Sequence, residues 1–106
     1  MNDPQYVEAA RHFGVRMIEH DSNPTKRLDF GFRVVTARPP SSFEKSVLAD
    51  TLKKYLAQYQ QNPEAAKKLV SVGESPVNEK LDQVELAAYT MMGSLLLNLD
   101  ETLNKN

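Results

Sequence analysis

Three triplets, NDP at 2–4, SNP at 22–24 and QNP at 62–64, constrain the fold of this chain more than any other feature. In each, an Asp or Asn oxygen is placed to accept from a backbone N–H that a new helix leaves without a partner. The proline that follows has no N–H to satisfy, and its φ is already set for the first helical position. Proline also pushes the preceding residue out of helical geometry, which suits a cap. Helix starts are therefore predicted at Pro4, Pro24 and Pro63. In ARPPSSFEK two prolines end what precedes them, and Ser41 with Glu44 has the spacing of a capping box, a fourth start.

Between these marks the apolar residues keep mostly helical spacing. Tyr6, Val7, Ala10, Phe13, Met17 and Ile18 carry a first helix to about His20. The next segment is ambiguous: Leu28, Phe32 and Val35 share a helix face, but Leu28, Phe30, Phe32 and Val34 alternate as in a strand. A lone strand leaves its backbone groups unpaired, so helix is predicted for 28–35. A third helix runs through Val47, Leu48, Leu52, Tyr55, Leu56 and Tyr59 to about Gln61. A short one spans Pro63 to Val72, with Gly73 as its C-terminal cap. ESPVNEK reads as a loop, and the longest helix is predicted from about Glu79 to Leu103. There is neither a fixed-period repeat nor a low-complexity tract. The expected fold is all-α, about five helices in a small bundle or orthogonal array, forming a single domain over 1–106.

Composition narrows the function classes. Apolar residues at 41% and charged residues at 25% are ordinary for a globular chain and exclude disorder throughout. A net charge of −1 offers no broad electrostatic hold on nucleic acid or an anionic membrane. The pairs Lys53-Lys54 and Lys67-Lys68 lie inside amphipathic patterns and read as solvated faces. No cysteine is present, which excludes disulfides, iron–sulfur ligation, a thiol nucleophile and covalent haem attachment. No run approaches the ~18 apolar residues of a bilayer span. MNDPQYVEAARHF lacks the basic-then-apolar order of a signal peptide.

No motif signals catalysis. His12 and His20 stand eight apart on one helix, so they point ~80° apart and lie ~12 Å apart along its axis, unable to share a metal alone. His20 reads as a helix-end residue suited to the dipole. MGSLL lacks the Gly-x-Ser-x-Gly elbow, and its Gly93-Ser94 pair suits close helix packing or a bend. The four glycines never cluster, so no phosphate loop exists. We expect no enzyme, no metal and no cofactor.

SLLLNLDETL, residues 94–103, is the least ordinary stretch. Leu81, Val84, Ala88, Met91, Met92, Leu95, Leu96, Leu99 and Leu103 fall in a stripe ~120° wide, expected to be core. Leu97 projects nearly opposite, a second apolar point. Asn98 lies at the stripe's edge, with Asp100 and Glu101 on its flanks near a helix C-terminus, where the dipole disfavours anions. Lys105 could offset them, or an arginine could pair with them. Arg11, Arg33 and Arg38 are the candidates.

NDPQYVEAAR, FRVVTARPPSSFE, NPEAAKKLVSVGE and ELAAYTMMGSLLLNLDETLNK, in that order, resemble the C-terminal part of the planctomycete-specific domain of unknown function. The family often has Trp where this chain has Tyr89. In that family the domain follows another uncharacterised domain, and often a cytochrome-c-like one, in large and mostly exported proteins. The resemblance implies that the chain is a C-terminal fragment of a larger domain whose parent is exported. Its partners would be the preceding domains, with homo-oligomers possible through exposed apolar faces. It transfers no catalytic residue, and the haem motif belongs to a separate domain. The expected function is a non-enzymatic structural or interaction module at the C-terminus of an exported multidomain protein. The alternative is an accessory part of an extracellular polymer-degrading or redox assembly.

Overall fold

A computed structural model describes residues 3–103, and the side chains of residues 3–99. It contains α1 (Pro4–His20), α2 (Pro24–Thr36), α3 (Ser42–Gln61), α4 (Pro63–Val70) and α5 (Gln83–Leu103), an all-α bundle. The three proline-marked helices begin where predicted. Asp3 accepts from the Gln5 N–H at 2.9 Å, Asn23 from Thr25 at 2.8 Å and Asn62 from Ala65 at 3.2 Å. Each such cap contributes ~1 kcal/mol. At α3 the capping box is reciprocal: the Glu44 N–H donates to Ser41 Oγ (3.1 Å), and the Ser41 N–H donates to Glu44 Oε1 (2.8 Å).

Residues 28–35 are helical, and the face chosen by the helical reading is the one turned inward. Leu28 and Phe32 are buried, whereas Val34 is exposed. The helix ends at Ala37, a non-glycine residue in the left-handed region (φ 60°), whose N–H donates to the Arg33 carbonyl at 2.9 Å.

Two boundaries differ from expectation. Helix α4 stops at Val70 rather than Val72, and its cap is Ser71, not Gly73. The guanidinium of Arg11 on α1 donates to the carbonyls of Val70, Val72 (3.4 Å) and Ser75 (2.9 Å), drawing the chain out of helical register. Gly73 lies beyond the cap at φ +96°, a conformation that favours glycine. Helix α5 begins at Gln83 rather than about Glu79. Asn78 folds the chain into a local turn, its side chain accepting from the Lys80 N–H (3.0 Å) and its carbonyl from the Leu81 N–H (3.2 Å). Asp82 is the true cap, accepting from the Val84 N–H at 2.8 Å.

Helix α5 is the axis of the bundle and touches all four other helices, α1 most extensively. That explains a further difference. Leu86, Ala87, Ala88, Tyr89, Thr90, Met92 and Leu96 are buried, so burial wraps round the helix's first half rather than following one stripe. Leu95, assigned to the core stripe, is instead 38% exposed. The α1–α5 contact is made backbone to backbone. A Cβ on Gly14 would stand 2.8 Å from the Tyr89 carbonyl oxygen, and one on Gly93 would stand 2.5 Å from the Ala10 oxygen. Close helix packing, one of the two roles anticipated for Gly93, is the one it serves.

Candidate functional site

The second half of α5 carries the residues singled out in the sequence, and α1 reaches them first. The Tyr6 hydroxyl donates to Asn98 Oδ1 (2.9 Å), with the Ser94 carbonyl also within reach at 3.2 Å. Asn98 is therefore tied within the domain, but by a tyrosine of α1. Asp100 and Glu101 belong to the last turn of α5, and their side chains lie outside the described residues, as does Lys105.

The three arginines are dispersed. Arg11 is buried (2% exposed) and committed to the loop after α4. On the same helix, Glu8 accepts from the Ser75 N–H at 2.5 Å, so α1 holds Ser75 by both its N–H and its carbonyl. Those Ser75 hydrogen bonds lower the pKa of Glu8. Arg33 pairs with Asp29 one turn earlier on α2 (2.7 Å). Arg38 grips Glu44 with two nitrogens at 2.8 and 2.9 Å and stands 5.0 Å above the Phe32 ring. The Arg38 guanidinium, with the Ser41 N–H, holds the Glu44 carboxyl down at about 2. The structure does not gather Arg11, Arg33, Arg38 and Asn98 into one place.

It builds instead an apolar groove of about 220 Å³ lined by Phe32, Phe43, Val47, Leu48, Leu95, Leu96 and Leu99, with Glu44 at its edge. Three of its residues face solvent: Phe43 at 76%, Val47 at 44% and Leu95 at 38% exposure. Burying one such side chain is worth ~1.5–3 kcal/mol, so the groove holds unspent binding energy. Phe43 was not singled out by sequence reasoning. The signal was there: Phe43 and Val47 form an i, i+4 pair off the Leu48–Leu52 face of α3.

A second concavity, about 390 Å³, opens across α2 from the first. It is lined by Phe13 and Arg16 of α1, Val34 and Val35 of α2, and Leu97 of α5, with Ala9 and His12 at the margin. The second apolar point noted at Leu97 thus has a place in the fold.

The interior is settled chemically. Among the described residues, every buried side-chain nitrogen and oxygen has a hydrogen-bond partner, the Thr90 hydroxyl using the Leu86 carbonyl at 2.7 Å. Burial raises the Tyr89 and Tyr59 phenols above their ordinary range. No group of three or more His, Asp or Glu among the described residues is placed to hold a metal ion. None of the described helices is long and apolar enough to cross a membrane. In comparison with known proteins, the chain matches no family model, no curated protein and no solved structure.

Proposed function

We propose that the chain is a non-catalytic helical module for structure or interaction, which seats a helix from the preceding part of its parent protein in the groove between α2, α3 and α5. The observation that carries this reading is the groove itself, with Phe43 76% exposed at its rim while every described buried polar side-chain atom is already partnered. A helix-in-groove contact uses an apolar trough of this type, read by side chains at i, i+3, i+4 and i+7. The choice of occupant rests on the resemblance to the planctomycete-specific domain, in which other domains precede this motif order. The same resemblance supports an exported parent.

Footprinting tests the proposal. The isolated chain and the longer parent are labelled side by side, and modification is read at Phe43, Val47 and Leu95. Strong protection of all three in the parent is expected. Equal labelling in both, or a reading frame that begins at Met1, removes the proposed occupant. Protection that instead grows with the concentration of the isolated chain reassigns the groove to a second copy.

A further inference from the structure

The second concavity carries a charge pattern that the groove lacks. His12, Arg16 and His20 recur every four residues, one ridge of α1 rising ~6 Å per step. Arg16 stands over two rings, 5.9 Å from the Phe13 centroid and 5.6 Å from that of Phe30. The His20 ring stacks on Phe30 from 4.1 Å. The rings therefore steady Arg16 and His20, and no carboxylate among the described side chains pairs with Arg16. Nearby acids are mostly committed elsewhere. Glu8 accepts from the Ser75 N–H, Asp21 from the Asn23 N–H, and Asp29 is paired with Arg33. Although Glu8 feels the charge of His12 and Asp21 that of His20, neither they nor Glu19 form an ion pair with the ridge. A guanidinium stacked on rings keeps its N–H fork open at the edge, the geometry that takes a carboxylate. Each imidazole also has a ring N–H to donate in either charge state.

Beside this ridge lies the apolar concavity of Phe13, Val35 and Leu97, with Val34 46% exposed at its wall. The two features together specify an occupant. Resting on the interaction reading above, we infer that this face docks an acidic amphipathic helix of a partner protein. Carboxylates at i, i+4 and i+8 of that helix meet His12, Arg16 and His20, and a neighbouring leucine-sized side chain drops between Val34 and Leu97. An anionic lipid surface suits the face less well, because the ridge holds only three groups, with Glu19 on the neighbouring row, and the chain's net charge is −1.

The probe is a fluorescent, helix-prone peptide of roughly 15 residues, with glutamates at i, i+4 and i+8 and leucines on the adjoining face. Its binding is followed by anisotropy. Saturable, salt-sensitive binding is expected, weakened about tenfold or more by Arg16→Ala and by replacing the glutamates with glutamine. Val34→Ser, at an exposed site, should weaken it with the fold intact by circular dichroism. Phe43→Asp should leave it unchanged. Equal affinity of the glutamine peptide, indifference to Arg16→Ala, or no binding overturns the inference. Loss of binding with Phe43→Asp places the peptide in the groove, overturning the inference while sparing the interaction reading. Arg16-dependent retention on phosphatidylglycerol vesicles, with no peptide binding, assigns the face to lipid and overturns it as well.

Discussion

Gly93→Ala offers a sharp test of how the bundle is assembled, because its expected sign opposes intrinsic propensity. In a free helix the change gains ~1 kcal/mol, since Ala is the better helix former. Here the new Cβ would lie 2.5 Å from the Ala10 carbonyl oxygen. Ordinary C···O contacts start at ~3.3 Å, so the two helix backbones must part by ~0.8 Å. Neither atom sits at the end of a flexible side chain, and overpacking of this kind costs ~1–3 kcal/mol, occasionally more. Because both clashing atoms are fixed by backbone, the upper part of that range, ~2–3 kcal/mol, applies. Less the ~1 kcal/mol propensity gain, the expected net loss is ~1–2 kcal/mol, a drop in Tm of roughly 5–15 °C for a chain of this size. Urea unfolding followed by circular dichroism measures it. Gly31→Ala is the internal comparison: its Cβ would meet the Met17 sulfur at 2.5 Å and a Leu96 methyl at 2.9 Å. Those groups can swing aside, so a smaller loss is expected. A Gly93→Ala chain as stable as the wild type, or more so, would refute the backbone-to-backbone α1–α5 contact.

Arg11→Met keeps the stem but strips the donors from the Val70 and Ser75 carbonyls; a loss of about 2–4 kcal/mol is expected, with faster amide exchange across 71–82. Ala37→Gly relieves a left-handed alanine at φ 60° and should gain about 0.5–1 kcal/mol in thermal unfolding, after the greater entropy of an unfolded glycine is allowed for. Glu44 is held at about 2, below the ordinary ~4.3 of a free glutamate, so its contribution is present above that range and is lost as pH falls through about 2. Glu44→Gln should therefore flatten the acid limb of stability between ~4.3 and about 2, while stability at neutral pH falls by the lost Arg38 contact. Leu96→Ala, at a fully buried site, should cost ~2–5 kcal/mol, and Leu95→Ala much less, because Leu95 is 38% exposed on the groove.

Helix positions were legible because their signals are local. A cap oxygen, a proline and a capping box act over three residues, and Pro4, Pro24, Ser41 and Pro63 needed nothing from elsewhere in the chain. Asp82 with Glu85 had capping-box spacing too, but apolar periodicity through Leu81 hid it. What the sequence left dark depends on contacts distant along the chain. Arg11 shortens α4 by reaching residues about 60 positions away. Asn98 finds Tyr6 across 92 residues. Leu95 and Val47 look like core in a one-helix pattern and become groove only when α3 and α5 meet. A helical wheel assigns a face to one side; it cannot show that α5 would touch all four other helices and still be left partly open at Leu95, in the groove beside α3.

The measurement closest to the proposed role of the groove is a binding isotherm. A helix from the preceding segment that the proposal assigns to a parent protein is supplied in trans to this chain and to its Phe43→Asp variant, whose unfolding midpoint should match the wild type because Phe43 is exposed. Saturable binding to the wild type, weakened at least about tenfold by the substitution, is the expected result. Equal affinity for both, or no binding to either, would contradict it.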